Sequence, residues 1–238
     1  MDSIYVLADA SGSQPSRSTL ELLGMGHRLA GAGSLKVRAL LPGPARAEAA
    51  SAVLAAGADE AVILDDPRLN AYQADLWLQA ITEAAVSPAA FLLPADSTGR
   101  ELAPRLAYRL QSALITDAVE VFWQDGAITA RRPVYGGKAI ITAQATGTVV
   151  LTVRAHTAAP LEEPKAGGET TRMAVHLDES RVHTRLVQHV EEKTEGVRLE
   201  DARVIVSGGR GLGGAEGFAE LASWLRSCTG ASEPHAGR

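Results

Sequence analysis

The sequence contains one cysteine, Cys228, in 238 residues. No disulfide can form within such a chain, and a lone buried thiol is favoured over a reactive one. There is no apolar run of bilayer-spanning length and no basic, apolar leader ahead of the first strand-like segment. Both absences argue against membrane insertion or export and for a cytoplasmic location. Clustered cations are missing too. The 23 Lys and Arg residues are scattered among 28 Asp and Glu, for a net charge of −5. That leaves no basic stripe for nucleic acid, and acidic substrates are not favoured either. The histidines, His27, His156, His176, His183, His189 and His235, lack metal-ligand spacing, so no metal site is expected. No Ser-His-Asp or Cys-His arrangement, no G-x-S-x-G elbow and no internal repeat is present. Asp65-Asp66 before Pro67 reads as a solvated turn. No hydrolase or transferase mechanism emerges from these residues.

What the chain does have is 46% hydrophobic content, ample for the core of one large domain or two small ones. Ile4–Ala8, Lys36–Leu41, Ala61–Leu64 and Ala90–Leu93 read as buried strands. Helices are predicted between and after them, from Ser18 as N-cap to near Gly31, then Ala45–Ala56, Tyr72–Val86 and Gly99–Gln111. Strands alternating with helices in this way predict an open, mostly parallel α/β sheet covered on both faces. Val119–Trp123, Ile128–Val134, Ala139–Ala145 and Val149–Arg154 then follow without helices. They predict an antiparallel hairpin extension, with turns at Gln124-Asp125-Gly126, at Tyr135-Gly136-Gly137 and at Gly147. Ala155–Thr171 reads as an exposed loop, and Met173–Leu177 and Val182–Val190 as further strand-like segments. Glu191–Asp201 is a charged linker and the best domain boundary.

The last unit has the most distinctive local pattern. A short β-branched strand, Ala202–Val206, runs into Ser207-Gly208-Gly209-Arg210-Gly211-Leu212, and a helix with Phe218, Leu221, Ala222 and Leu225 at core spacing follows. Backbone N–H groups at such a turn can face a phosphate, with Arg210 adding charge. The turn lacks the Lys-Ser/Thr of a P-loop and the G-x-G-x-x-G spacing, so on spacing alone a tight βα turn that merely needs glycine is the better reading. A single βα unit cannot stand as a free domain. A second candidate anion site, Ser97-Thr98-Gly99 at the start of the fourth helix, is better read as a helix cap, with Arg105 facing a neighbour or solvent.

These motifs occur together in one known family. Thr98-Gly99-Arg100-Glu101-Leu102-Ala103-Pro104-Arg105-Leu106-Ala107 with Leu114-Ile115-Thr116-Asp117 resembles the "GRDLAPRLAARL…L.TD" stretch of the electron transfer flavoprotein alpha subunit. Arg132-Pro133-Val134-Tyr135-Gly136-Gly137-Lys138 is similar to that family's "RP.YGGN", with Lys138 in place of the asparagine, and Thr152-Val153-Arg154 to its "TVR". Val204–Leu212 with Glu216 and Phe218 resembles "VVSGGRGL…EnF", the entry to the flavin domain.

The resemblance implies a three-layer Rossmann-like domain over residues 1–190, a linker over 191–201, and the first βα unit of an FAD-binding domain over 202–238. It implies FAD as cofactor, with Arg210, Gly208, Gly209 and Gly211 at the site and Ser232 in the following "GAS" segment. It also implies a beta-subunit partner and an electron carrier rather than an enzyme with its own substrate. Electrons would pass from acyl-CoA dehydrogenases of fatty acid beta-oxidation, or other flavin dehydrogenases, to a quinone oxidoreductase. Glu233 stands where the family has an arginine, and later flavin-enclosing motifs do not follow, so the expectation is an incomplete FAD site impaired by truncation. Two other readings stand beside this one, a non-redox subunit-interaction module and, from fold analogy, an adenine-nucleotide-binding domain.

Overall fold

In a computed structural model of the chain, residues 2–9, 14–44, 46–165, 167–188 and 207–229 are described, with side chains in the last segment described through 224. The chain divides into two units, Met1–Leu186 and Val187–Arg238. The predicted strand over Ala202–Val206, the linker over Glu191–Asp201 and Ser232 lie outside the described residues.

The first unit begins with strand β1 (Ser3–Leu7), every residue of which is buried. Helix α1 (Arg17–Gly33) follows, its first turn capped by the Ser16 hydroxyl, which accepts from the Thr19 N–H. Then come β2 (Lys36–Pro42), α2 (Ala47–Ala55), β3 (Glu60–Leu64), α3 (Ala74–Ala84), β4 (Pro88–Pro94) and α4 (Ser97–Leu110). Five further strands are β5 (Ala113–Ala118), β6 (Glu120–Gln124), β7 (Ala127–Val134), β8 (Ala139–Ala145) and β9 (Val149–Val153), and β10 (Glu169–Met173) closes the series. Seven strands form one sheet in the order β10-β3-β2-β1-β4-β9-β5, and β6, β7 and β8 form a separate sheet of three. All neighbours in the large sheet pair in parallel, and those in the small sheet pair antiparallel.

The two-residue period of β1 distributes its side chains between two cores. Ile4 and Val6 pack with Leu22, Leu23 and Leu29 of α1 and Val53 of α2. Tyr5 and Leu7 enter the opposite cluster, with Leu76 and Ile81 of α3 and Leu102 and Leu106 of α4. Helices therefore cover both faces, and the unit has the three layers and Rossmann-like parallel sheet predicted. After β3 the chain returns to the other side of β1 to make β4. This reversal opens a crevice at the carboxyl ends of the central strands.

Two segments depart from prediction. Val149–Arg154 is not the last leg of a hairpin extension. Its core, β9, inserts into the large sheet between β4 and β5, and all five residues are buried. Val149-Val150-Leu151 is apolar without alternation, as a strand covered on both faces requires. The second departure is at the opposite edge. The extra strand is β10, Glu169–Met173, which lies partly in the predicted loop and pairs with β3 despite its polar side chains. Met173–Leu177 is strand only at Met173, and residues 182–188 form no strand. The segment from His176 to Thr184 is held along α3 instead. Glu83 accepts from the His176 N–H at 2.8 Å, Gln79 from Asp178 N–H at 2.8 Å, and Asp75 from His183 N–H at 2.9 Å. Residues 75, 79 and 83 share one helix face, so their polar ends line up beneath the strap.

Helix α4 approaches β4 so closely that a Cβ on Gly99 would overlap the Pro94 carbonyl oxygen. Gly31, near the end of α1, faces open space. Gly99→Ala is therefore expected to destabilise the chain by about 1–3 kcal/mol, and Gly31→Ala to stabilise it by about 0.5–1 kcal/mol. Urea denaturation of the two variants checks both signs.

Candidate functional site

The glycine turn of the second unit begins at Ser207. Arg210–Leu212 forms a single 3-10 turn, closed by Leu212 N–H to the Gly209 carbonyl at 3.1 Å and Gly213 N–H to the Arg210 carbonyl at 3.2 Å. Gly213 and Gly214 have φ of +76° and +146°, which a side chain would oppose, and helix α5 (Ala215–Thr229) starts immediately after them. The glycines divide into two roles. A Cβ on Gly208 would overlap Leu212 and crowd Phe218, and one on Gly217 would overlap the Leu212 carbonyl, so these two let the turn fold against the helix. Gly209 and Gly211 face open space, on either side of exposed Arg210. Phe218, Leu221 and Ala222 are half-buried on one face of α5.

Bare backbone at Gly209 and Gly211, a free-reaching guanidinium and the positive end of a 15-residue helix suit an anionic group of phosphate size. The fit is to one such group, not to a whole dinucleotide.

In the first unit the cap of α4 is not Ser97, Thr98 or Gly99, which form the helix's first turn, but Asp96, which accepts from the Gly99 N–H at 2.8 Å. Arg105 faces neighbours, pairing with Asp75 at 3.0 Å and Glu101 at 3.2 Å. Glu101 also accepts from the Tyr72 hydroxyl at 2.9 Å. Burial, then the Glu101 carboxylate, pushes the Tyr72 phenol well above its ordinary range.

Three separated sequence motifs meet at the carboxyl ends of β5 and β9. Asp117 near the end of β5, Arg132–Gly137 at the end of β7 and in the turn to β8, and Arg154 just after β9 line one open hollow of about 460 Å³. Asp117 anchors it. Its N–H donates to the Thr152 hydroxyl at 2.8 Å, and its carboxylate accepts from Arg154 Nε at 3.0 Å and from a second guanidinium nitrogen. Tyr135, Gly136 and Gly137 all have positive φ, a sharp turn that leaves Tyr135 83% exposed. Next to it, Ile140 and Ile141 on β8 are 65% and 44% exposed. The sequence motifs contained these residues, but their separation along the chain hid the shared hollow.

A family model described as electron transfer flavoprotein domain matches residues 4–178. The chain belongs to that family. It is alpha-subunit-like within it. It is similar to the electron transfer flavoprotein subunit alpha of Thermoanaerobacterium thermosaccharolyticum, at 30% identity over 96% of this chain and 72% of that protein. The Bacillus subtilis subunit alpha is 31% identical, over 96% of this chain and 71% of its own length. Protein FixB of Clostridium saccharobutylicum is 30% identical over 90% of this chain, which spans 66% of FixB. The family match covers all three motifs that meet in the hollow, whereas the glycine turn lies beyond residue 178. Among the described residues no helix is long and apolar enough to cross a membrane, and no three His, Cys, Asp or Glu side chains gather to hold a metal ion.

Hydrogen bonding from Arg154 holds the Asp117 carboxyl below the usual carboxylate range. A depressed folded-state value means that this pair contributes stability above the ordinary Asp pKa of about 4 and loses it as pH falls through the folded value. Asp117 has φ of +57°, which asparagine also tolerates. Asp117→Asn should therefore lower stability near neutral pH by about 0.5–1 kcal/mol, a size discounted for partial exposure. Melting curves of wild type and variant from neutral pH into acid should converge below about pH 4.

Proposed function

We propose that this chain is the alpha-type subunit of an electron transfer flavoprotein, holding FAD in partnership with a beta-type subunit. The observation that carries the proposal is the turn at Ser207–Gly214, where Gly209 and Gly211 leave backbone bare beside exposed Arg210 in a member of this family. Bound FAD supplies the redox chemistry, accepting and releasing electrons. The chain's own residues bind and tune. Gly208 closes the turn on Phe218, Gly209 and Gly211 admit the cofactor to the backbone, and Arg210 lies beside it as a cation. Ser232, outside the described residues, is assigned to the same site.

The proposed organisation is an alpha-type domain over 1–190, a linker over 191–201 and the flavin-domain start over 202–238. The beta-type subunit docks on the small sheet, where exposed Tyr135, Ile140 and Ile141 form an apolar edge of the kind that marks an interface. Flavin dehydrogenases, acyl-CoA dehydrogenases among them, deliver electrons, and a quinone oxidoreductase receives them, in the cytoplasm. The chain acts as a carrier without a substrate of its own.

The test is visible flavin absorbance after gel filtration of the chain with FAD, alone and with a beta-type subunit. Flavin should be retained when the beta-type subunit is present, and Arg210→Ala should weaken retention at least tenfold through loss of a charge-assisted contact. Absence of flavin in both mixtures contradicts electron carriage, and co-elution of the two subunits without flavin would identify an interaction module instead. Retention unchanged by Arg210→Ala removes the assigned role of that residue.

A further inference from the structure

The crevice at the chain reversal of the first unit shares no lining residue with the hollow at Asp117. Leu7, Pro42 and Pro94, the last residues of β1, β2 and β4, form its floor. Its volume is about 210 Å³. A cavity of roughly 150 Å³ accepts one benzene ring, so this space suits a larger, fused ring system. Position agrees with size, because open parallel sheets receive ligands at the carboxyl ends of their strands where the strand order reverses.

The walls define the ligand's chemistry. On one side Tyr72 and Trp77 meet edge to face, 5.1 Å between centroids and 83° between planes, a rigid aromatic corner for a flat ring. The indole Nε1–H of Trp77 is itself buried, so the ring presents its carbon surface here. Two acidic residues, Asp9 and Asp96, also line the crevice.

Asp9 is fixed by its backbone. Its N–H donates to the Thr19 hydroxyl at 2.9 Å, and its carbonyl accepts from the Ser16 N–H at 3.0 Å, which leaves the carboxylate exposed at the rim. Asp96 already occupies the positive end of α4 through its bond to Gly99 N–H, so that end has its anion. The cation in the wall, Arg46, is engaged, its Nε donating to the Pro42 carbonyl at 3.1 Å. A phosphate entering here would meet two carboxylates against one guanidinium, at a helix end that already has its anion. A ring bearing an amino group would instead give hydrogen to a carboxylate while its faces and edges lie on the aromatic corner.

We propose that this crevice binds an amino-substituted purine in its uncharged form, base or nucleoside, and discriminates against its phosphate esters. The site is independent of the flavin assignment. Titration calorimetry of the full chain with adenosine, inosine and AMP tests it. Adenosine should bind at least tenfold more tightly than inosine, which carries a carbonyl where adenosine carries the amino group, and at least tenfold more tightly than AMP. Asp9→Asn should weaken adenosine about tenfold and narrow its advantage over AMP, with the melting temperature of the unliganded chain unchanged. Arg210→Ala should leave adenosine binding as it is, which separates this site from the glycine turn. No heat with any of the three, AMP binding as tightly as adenosine, or adenosine binding indifferent to Asp9→Asn would each overturn the proposal.

Discussion

Strand β1 sits at the centre of the large sheet with both faces and both edges covered, and this one constraint shapes most of the first unit. Its edges are occupied by β2 and β4. Tyr5, fully buried, stacks on Phe91 of β4 with ring centroids 5.0 Å apart. Its hydroxyl would be costly to bury unpaired, so it accepts from the Val86 N–H at 2.8 Å and donates to the Val86 carbonyl at 2.9 Å. That pairing fixes the chain between α3 and β4. Val86 lies just ahead of β4, so the bond ties the entry of β4 to β1, at the opposite end of these strands from the crevice.

The two sheets divide the work of the unit. The central strands of the parallel sheet are covered on both faces by helices, and the crevice lies at their carboxyl ends. The three-stranded sheet keeps β8 as an edge with exposed isoleucines, and its inner strand β7 contributes buried Ile128 and Ala130 to the same core as β1. The small sheet is therefore rooted in the main core while its far edge remains free among the described residues. Such an edge has unpaired backbone groups and apolar side chains, and a partner surface satisfies both. Asp117 and Arg154 fasten the hollow beside that edge at the point where β5 and β9 end.

Local signals made much of this legible in the sequence. The alternation of apolar strands with helices over Ile4–Leu110 predicts the layers, and Ser97-Thr98-Gly99 marks the start of a helix whose cap is one residue earlier, at Asp96. Non-local pairing was harder to see. Gly147 looked like a hairpin turn because Val149 follows it closely, yet the unbroken apolar run at Val149–Leu151 carried the signature of a core strand. Glu169–Met173 carried no such signature, since its place beside β3 comes from main-chain pairing that polar side chains do not advertise. The path of His176–Thr184 depends on Asp75, Gln79 and Glu83, about a hundred residues earlier, and no local window contains both partners. The candidate hollow was illegible for the same reason, because its three motifs are adjacent only after β9 has joined the large sheet.

The small sheet is the face proposed to receive a beta-type subunit. Amide hydrogen exchange across the chain, with and without that subunit, measures this directly. The account predicts slowed exchange concentrated at Ala139–Ala145 and at the Tyr135–Lys138 turn, with α3 and its strap unchanged. Complex formation that leaves β8 exchange unaltered, or that protects the α3 side instead, would contradict it.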